Sequence, residues 1–427
     1  MTLYEVAPLT RPPDLTLSLP GSKSYTSRAL LIAAMAEGRS TIRQALFSDD
    51  TRYMAAALAA LGIPVRADEP AREFVVEGAG GRVPAGEASL FVGNAGTAAR
   101  FLTSFVALGR GRYVLDGSPR MRQRPIQPLL DGLQGLGVRA RSLHGNGCPP
   151  VVVEAAGLAG GRTRMDGSQS SQFLSSLLLV GPATPLGIEV DVVGDIVSRP
   201  FVDLTTSSMR AFGAEVVNDG YRRLVVPPGQ RYRARDYTVE PDASAASYFF
   251  GAAAITGGRV RVEGLGWASA QGDLGFVDVL ARMGCRVSRG ESFVEVAGPE
   301  TLRGVDVDMR GISDTALTLA AIAPFAAGPV LIRGIAHTRH QESDRVAAAA
   351  TELRRLGARV DEHPDGLAIY PAAGQLHGAE VSTYDDHRIA MAFALVGLRV
   401  PSVRIQDPEC VAKTFPEFFT TLEQLGG

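Results

Sequence analysis

Residues 19–28 of the chain read Leu-Pro-Gly-Ser-Lys-Ser-Tyr-Thr-Ser-Arg, and they run directly into the apolar segment 29–35. A proline and a glycine end any preceding strand, either of two serines can cap a helix, and the apolar segment is typical of a buried helical body. The free backbone N–H groups of the first turn and the positive end of the helix dipole then lie close to Lys23 and Arg28. We expect this volume to bind an anion, above all a phosphate.

A nucleotide-binding P-loop is the nearest competing motif. It requires a glycine directly before its lysine and another glycine five residues earlier. Ser22 and Leu17 occupy those two places, so the motif is absent. The other alternative is a surface helix whose basic residues are only solvated, and the rest of the chain argues against it.

Composition excludes several classes of protein. The 427 residues are enough for two or more domains, and 43 Lys and Arg stand against 45 Asp and Glu. A net charge of -2 gives no reason to expect nucleic acid or an anionic membrane as a partner. Cys148, Cys285 and Cys410 are widely separated, which favours neither disulfides nor a zinc site. We therefore expect a cytoplasmic protein without a metal or a membrane span.

One type of helix recurs along the chain, with a polar start and an apolar body rich in small residues. Its starts are about 70 to 75 residues apart, which indicates repeated supersecondary units. The predicted bodies are Ala29–Met35, Ala98–Leu108, Phe173–Val180, Ala245–Ile255, Ala316–Ala327 and Ile389–Leu398. A second type, which ends at a glycine before a strand, is predicted at Met54–Gly62, Leu129–Gly137, Met209–Gly213, Val277–Gly284, Glu352–Gly357 and Phe418–Gly426. Six α/β units of strand, helix, strand, helix and further strands account for most of the chain.

The six units predict two domains with a cleft between them. Residues 21–239, with three units, are expected to form domain II. Residues 240–427, with three more, are expected to form domain I together with residues 1–20. If the helices of the first type lie parallel, their N-termini open on one side. Capping explains the Ser, Thr and Asp residues there, but it does not explain Lys23, Arg28, Arg100, Gln172, His387 and Arg388, so we favour a shared anion site.

Six other stretches carry groups suited to anion binding or proton transfer. The turn 93–97 has two glycines that let backbone approach a ligand, and the loop 119–125 holds three arginines between prolines. Residues 313–314, 339–345 and 385–388 supply carboxylates, arginines and histidines, and Lys413 lies in a loop bracketed by prolines. Carboxylates beside fixed cations can exchange protons with a substrate. Each stretch alone is equally consistent with a solvated loop or a surface ion pair.

Together these stretches resemble the 5-enolpyruvylshikimate 3-phosphate synthases, a family of enolpyruvyltransferases. The resemblance covers nearly the whole chain and rests on Pro20–Ser24, Gly93–Thr97, Pro119–Pro125, Asp166–Phe173, Asp242–Tyr248, Glu342–Arg345, Tyr384–Arg388 and Lys413–Pro416, in that order. It implies a two-domain inside-out α/β barrel of six βαβαββ repeats, three per domain. It also implies transfer of the enolpyruvyl group of phosphoenolpyruvate to the 5-hydroxyl of shikimate 3-phosphate, with release of phosphate, in the shikimate pathway to aromatic amino acids.

The resemblance assigns substrates to residues. Shikimate 3-phosphate would be bound by Lys23, Ser24, Arg28, Ser170, Ser171, Gln172, Ser198, Asp314 and Gln341. Phosphoenolpyruvate would be bound by Lys23, Gly96, Arg124, Gln172, Arg345, His387, Arg388 and Lys413. Asp314 is similar to the base that accepts the hydroxyl proton and Glu342 to the acid that protonates the methylene carbon, with Lys23 supporting charge. No metal or redox cofactor is implied, and we expect a monomer.

Some positions depart from the family pattern. Gln341 stands where a lysine is usual, Phe201 replaces a tyrosine and His337 an asparagine, and Phe101 occupies a place often held by proline. One alternative is therefore an enolpyruvyltransferase with another hydroxyl acceptor. A second is a non-catalytic anion-binding relative, although the retained catalytic residues argue against it. The family is also a glyphosate target, and Gly96 leaves space beside the phosphoenolpyruvate site.

Overall fold

The structure, a computed structural model, describes residues 2–426. Its helices are α1 (Lys23–Met35), α2 (Asp49–Ala60), α3 (Gly96–Val106), α4 (Gln127–Gly135), α5 (Ser171–Val180), α6 (Pro200–Ala211), α7 (Ala243–Thr256), α8 (Phe276–Arg282), α9 (Ala316–Ile322), α10 (Arg345–Arg355), α11 (His387–Gly397) and α12 (Phe418–Glu423). Short 3-10 turns connect several of them.

The strands, in chain order, are short, and most alternate buried and exposed residues. They are β1 (Leu3–Glu5), β2 (Asp14–Ser18), β3 (Glu37–Arg43), β4 (Val65–Asp68), β5 (Glu73–Ala79), β6 (Glu87–Phe91), β7 (Arg110–Asp116), β8 (Arg139–Ser142), β9 (Val151–Ala156), β10 (Gly161–Asp166), β11 (Ile188–Val193), β12 (Val217–Asp219), β13 (Arg223–Val226), β14 (Asp236–Thr238), β15 (Arg259–Glu263), β16 (Arg286–Arg289), β17 (Phe293–Ala297), β18 (Val305–Asp308), β19 (Val330–Arg333), β20 (Val360–His363), β21 (Gly366–Ile369), β22 (Glu380–Val381) and β23 (Arg404–Gln406).

The chain divides into two compact units, each with its own hydrophobic core. The central unit is Gly21–Glu240, and the terminal unit joins the chain up to Pro20 with the chain from Pro241 onward. In the central unit the core surrounds α1, whose residues from Tyr25 to Met35 are all buried. In the terminal unit it surrounds α7 and α11, which are buried along nearly their whole length.

One sheet pattern occurs five times. The second strand pairs in parallel with the first strand on one side and antiparallel with the fourth strand on the other. The third strand pairs antiparallel with the fourth and lies at the edge of the sheet. Consecutive strands build the orders β6-β7-β9-β8, β10-β11-β13-β12 and β18-β19-β21-β20. A parallel pair needs a crossover connection, which α3, α5 and α9 supply. The predicted α/β class is confirmed.

Two strands are exchanged between the remaining four-stranded sheets. Strand β2 precedes α1 and β3 in the chain, yet it pairs in parallel with β15. Strand β14 precedes α7 and β15, yet it pairs in parallel with β3. In the terminal unit, β2 from the N-terminal segment therefore completes the sheet of β15, β16 and β17. In the central unit, β14 from the end of that unit completes the sheet of β3, β4 and β5. The chain passes between the units at Pro20–Gly21 and Glu240–Pro241.

The sixth sheet is smaller. It has three strands in the order β1-β23-β22, and β1 runs antiparallel to β23 where the other repeats have their fourth strand. After β23, the chain forms a 3-10 turn at Pro408–Lys413 and then α12. In the described residues the last repeat thus lacks its own closing pair of strands, and the N-terminal strand replaces one of them.

The polar helix starts are caps at four of the six predicted places. Side-chain oxygens of Ser22, Ser170, Asp242 and Asp386 accept backbone N–H groups of α1, α5, α7 and α11. Helix α3 follows Ala95 without a side-chain cap. The predicted body Ala316–Ala327 is too long, because Pro324 ends α9 at Ile322 and a 3-10 turn follows. No helix in residues 2–426 has the length and apolarity of a membrane span.

Gly111 tests the close packing of strands β6 and β7. Its φ is +148°, and a Cβ there would lie 1.6 Å from the carbonyl oxygen of Gly86. Gly137 is the matched control, because its φ is +83° but a Cβ would meet nothing within 4 Å. We expect Gly137→Ala to cost about 1–2 kcal/mol of unfolding free energy through backbone strain alone, and Gly111→Ala to cost about 3 kcal/mol or more. Urea unfolding followed by circular dichroism compares them, and equal midpoints would contradict the close contact.

Candidate active site

The start of α1 places a lysine beside a buried carboxylate. Ser22 caps the helix by accepting the N–H of Tyr25 at 3.5 Å. The Nζ atom of Lys23 lies 3.4 Å from Oδ2 of Asp50, and both side chains are largely buried. Asp50 lies in the first turn of α2, so the pair joins the starts of two helices. Sequence reasoning missed Asp50 because the two residues are distant in the chain.

Arg28 is fully buried and is bound by the protein itself. Its guanidinium donates to Thr205 Oγ1 at 2.8 Å, to the carbonyl oxygen of Ser24 at 2.9 Å and to that of Phe201 at 3.1 Å. The ring of Phe101 lies 5.1 Å from the guanidinium carbon. Burial lowers the pKa of Arg28 to about 9, so the side chain is still a cation at neutral pH. Its contacts hold α1 against α6, and its predicted contact with substrate stays a prediction.

The turn before α3 brings a second guanidinium to a helix start. Arg124, the buried arginine of the loop 119–125, donates from Nη1 to the carbonyl oxygen of Asn94 at 2.9 Å and to Oδ1 of Asn94 at 3.1 Å. A Cβ at Gly96 would lie 2.6 Å from Nη2 of Arg124 and 2.8 Å from Nη1 of Arg100. A side chain here would therefore force the guanidinium groups of Arg124 and Arg100 to move. Arg100 itself folds back onto the carbonyl oxygens of Gly96 and Pro125, at 3.1 Å each.

The other arginines of that loop have different roles. Arg122 is exposed and pairs with Asp116 at 2.6 Å on the surface. It lies in a 3-10 turn, Met121–Gln123, between the two prolines. Of the three arginines, Arg124 alone is buried.

The start of α5 supplies the predicted serines and glutamine. Ser170 caps the helix by accepting the N–H of Gln172 at 3.3 Å. The side-chain amide of Gln172 donates to Thr97 Oγ1 at 3.4 Å, so the starts of α5 and α3 meet. Ser198 is buried and has a φ of +54°, a conformation that is uncommon for residues other than glycine. Strain of this kind is concentrated at binding sites.

In the terminal unit, Asp386 is the centre of a buried network. Its carboxylate caps α11 by accepting the backbone N–H of Arg388. It also accepts hydrogen bonds from Ser343 Oγ at 2.9 Å, from Arg345 Nε at 2.9 Å and from Arg345 Nη2 at 3.2 Å. The side chain has no exposed surface. Although the sequence places Asp386 in a polar stretch at a helix start, we did not predict it as a site residue.

Asp314 is held by two arginines. Arg388 Nη2 lies 2.7 Å from its Oδ2, and Arg345 Nη1 lies 3.3 Å from its Oδ1. Asp314 sits in the 3-10 turn before α9, while the arginines begin α10 and lie in the first turn of α11. Three helix starts therefore meet at this carboxylate. Arg388 also donates to the hydroxyl of Tyr248 at 3.3 Å.

Glu342 lies next to Arg345 and Lys413. Its Oε2 is 3.0 Å from Arg345 Nη2, and its Oε1 is 3.8 Å from Lys413 Nζ. Glu342 and Lys413 are both buried. Gln341 accepts a hydrogen bond from Nη1 of Arg345 through its side-chain oxygen. In the terminal unit, the two carboxylates expected to transfer protons, Asp314 and Glu342, thus lie in one network with Arg345, Arg388 and Lys413.

Both arginines of this network are stably charged. Burial lowers the pKa of Arg345, but Asp386 and Glu342 outweigh this effect and the pKa lies above its ordinary value. Burial also lowers the pKa of Arg388, but Asp314, Tyr248, Asp273 and Asp242 together outweigh this effect, so that this pKa is raised as well.

The histidines differ in environment. His387 is buried at the start of α11, with Nδ1 3.6 Å from Oδ1 of Asp386. His337 shares a 3.0 Å hydrogen bond with Ser313, and burial lowers its pKa to about 4, so it is neutral near pH 7. His340 is exposed. Residues 2–426 contain no group of three or more His, Cys, Asp or Glu side chains placed to hold a metal ion.

Comparison with known proteins decides the family. A family model described as EPSP synthase (3-phosphoshikimate 1-carboxyvinyltransferase) matches residues 12–422. The chain belongs to the EPSP synthase family. Its curated relatives include 3-phosphoshikimate 1-carboxyvinyltransferase of Trichormus variabilis, 48% identical over 427 residues that cover 100% of both chains. That of Serratia proteamaculans is 47% identical and covers 96% of both chains.

Solved structures agree with the family. EPSP synthase from Acinetobacter baumannii superposes with a TM-score of 0.84 at 25% identity, covering 100% of this chain and 98% of that one. The enolpyruvyl transferase NikO from Streptomyces tendae has a TM-score of 0.76 at 21% identity, covering 99% and 97%, which shows the fold alone. The resemblance drawn from the sequence motifs is confirmed.

The lowered pKa of His337 predicts how the stability of the protein depends on pH. An unfolded histidine titrates near 6.5, so between about pH 6.5 and pH 4 the unfolded chain binds a proton that folded His337 does not. Stability is therefore lost as pH falls through this window. His337→Asn removes that loss, and we expect its melting temperature to fall less than that of the wild type between pH 7 and pH 4.5. His363→Asn, at an exposed site, is the control, and identical slopes for both variants would contradict the prediction.

Proposed function

We propose that this chain transfers the enolpyruvyl group of phosphoenolpyruvate to the 5-hydroxyl of shikimate 3-phosphate and releases phosphate, the reaction of the EPSP synthase family in the shikimate pathway. The observation that carries the proposal is the terminal-unit network, in which Asp314 and Glu342 share Arg345 at 3.3 Å and 3.0 Å. Curated relatives that cover the whole chain are named for the same acceptor, 3-phosphoshikimate.

The cations of each unit support anion binding. We assign shikimate 3-phosphate to Lys23, Ser24, Arg28, Ser170, Ser171, Gln172, Ser198, Asp314 and Gln341. We assign phosphoenolpyruvate to Lys23, Gly96, Arg124, Gln172, Arg345, His387, Arg388 and Lys413. Arginine forks match carboxylate and phosphate oxygens in pairs, and free N–H groups at the starts of α1, α3, α5 and α11 add further donors.

The proposed chemistry begins with addition. The 5-hydroxyl oxygen forms a bond to the enol carbon of phosphoenolpyruvate, its proton passes to Asp314, and the methylene carbon receives a proton from Glu342. In the elimination that follows, the new methyl group returns a proton to the ionised Glu342 and the carbon–oxygen bond to phosphate breaks. The phosphate leaves with the bonding electrons and takes up the proton that Asp314 received. Asp314 suits the first step because two arginines favour its ionised, proton-accepting form.

Glu342 must carry a proton to act as the acid. Arg345 and Lys413 favour its carboxylate form without substrate. An anionic substrate that binds these cations weakens their hold on Glu342 and raises its proton affinity. Lys23, next to Asp50, is proposed to stabilise charge on the substrates. These roles are positioning and electrostatic stabilisation, and the proposed reaction uses no cofactor.

The remaining proposals concern partners and location. We propose that the protein acts in the cytoplasm as a monomer, without nucleic acid or membrane partners. A net charge of -2 gives no reason to expect either of these partners. A different hydroxyl acceptor is the alternative that the changes at Gln341, Phe201 and His337 leave open. The names of the full-length relatives favour shikimate 3-phosphate over it.

Phosphate release from phosphoenolpyruvate, with and without shikimate 3-phosphate, tests the function. We expect release to require the acceptor and to fall about 100-fold or more in Glu342→Gln, because general acid–base catalysis contributes about 10²–10⁴-fold. Glu300→Gln, an exposed site in the terminal unit, should retain full activity. Acceptor-independent release, or full activity of Glu342→Gln, would rule out the proposed roles.

Gly96→Ala tests the binding of phosphoenolpyruvate. The new methyl group would lie 2.6 Å from the Arg124 guanidinium, which must shift away. We expect the KM for phosphoenolpyruvate to rise about tenfold, equivalent to about 1.4 kcal/mol, with a much smaller change in the KM for shikimate 3-phosphate. Initial rates over both substrates measure this. An equal rise for both substrates would mean that the whole site is disturbed and that Arg124 has no specific role.

A further inference from the structure

A buried carboxylate outside the assigned site has an unexplained oxygen. Asp273 lies in the 3-10 turn Gly272–Gly275 and is 5% exposed. Its Oδ2 accepts a hydrogen bond from the hydroxyl of Ser244, while Oδ1 is buried without a hydrogen-bond partner among the described residues. Buried carboxylate oxygens are normally paired, so Oδ1 indicates a place where a proton can reside.

The turn that carries Asp273 is fixed against the start of α7. The side-chain oxygen of Gln271 accepts the N–H of Ala243 at 3.0 Å, and its amide donates to the carbonyl oxygen of Pro241 at 2.7 Å. The same turn packs against the one that carries Asp314. Asp273 is therefore held in a turn that is fixed next to the turn of the proposed base.

The charged groups that face Asp273 come from three elements. Asp242 lies at the start of α7, Asp314 in the turn before α9, and Arg388 in the first turn of α11. Burial raises the pKa of Asp273 to about 7, and Asp314 and Asp242 add to this, while Arg388 and the hydrogen bond from Ser244 oppose it. Asp273 can thus gain or lose its negative charge near neutral pH.

We propose that Asp273 is a positioning residue whose charge controls how readily Asp314 takes up the proton of the acceptor hydroxyl. This deepens the proposed function and rests on it. A negative charge on Asp273 raises the proton affinity of Asp314, because like charges disfavour each other's ionised form. When Asp273 is protonated, that contribution is lost and Asp314 is a weaker base. The rate of hydroxyl deprotonation then rises with pH as Asp273 ionises.

Three variants distinguish this role from a purely structural one. Asp273→Asn is fixed in the uncharged form, so kcat should lack the rise near pH 7 and stay about threefold to tenfold below the wild type at pH 8.5. Ser244→Ala removes the bond that favours the ionised form, so the rise should keep its height and move to higher pH. Asp278→Asn, at an exposed carboxylate on α8, should follow the wild type. The readout is kcat for phosphate release between pH 5.5 and pH 9.

Several outcomes would overturn the proposal. A uniform loss of kcat at every pH in Asp273→Asn, with an unchanged midpoint in Ser244→Ala, would show a structural role. If Asp273→Asn does not fold, the shift in Ser244→Ala decides alone. If the wild type releases no phosphate with shikimate 3-phosphate, the proposed function fails, and the proposal about Asp314 fails with it.

Stability tests the titration of Asp273 without substrate. Its folded pKa lies above the unfolded value of about 3.9. The folded chain therefore holds a proton that the unfolded chain has lost, and stability falls as pH rises through about 4 to 7. Asp273→Asn should lack this fall. Parallel melting curves for wild type and Asp273→Asn across that range would show that Asp273 does not carry the proton, and would overturn the inference whatever the activity.

Discussion

Hydrogen bonds from Ser343, Arg345 and the backbone of Arg388 converge on the carboxylate of Asp386, which is completely buried. A buried carboxylate costs several kcal/mol in lost hydration unless charge-assisted hydrogen bonds offset it. Here they do so, and they also fix Arg345, which in turn reaches Asp314 and Glu342. Donors and acceptors of the terminal unit are thus oriented before any substrate is present. Preorganised charge of this kind is usually the largest electrostatic contribution to catalysis.

The central unit holds its cations differently. Arg28 and Arg124 donate to hydroxyl, amide and carbonyl oxygens, among them those of Thr205, Phe201 and Asn94. Neutral partners orient a guanidinium without cancelling its charge, whereas carboxylate partners do both. We infer that the central unit mainly attracts and orients anions, and that the terminal unit combines cations with the carboxylates that move protons. Lys23 is an exception, because Asp50 lies beside it.

Sequence reasoning succeeded where the controlling interaction is local. The caps Ser22, Ser170 and Asp386 lie within three residues of the N–H groups they accept, so a polar start and an apolar body predict the helix. The exchange of β2 and β14 depends on which sheet edge each strand meets, and no local pattern reports that. The role of Asp386 and the presence of Asp50 and Asp273 depend on contacts between distant segments. Arg100 is predicted to be one of the anion-binding cations, and the structure shows that it also donates to two backbone carbonyl oxygens.

The departures from the family pattern affect this framework less than their chemistry suggests. Phe201 contributes its backbone carbonyl to Arg28, and that contact is the same for a tyrosine. Gln341 gives Arg345 a side-chain oxygen as a partner, where a lysine would place a second cation beside the guanidinium. The change removes one positive charge but keeps Arg345 oriented. On the proposed assignment of Gln341 to the acceptor, the missing positive charge weakens the field around the acceptor, and we expect this to affect the affinity for the acceptor more than the geometry of proton transfer.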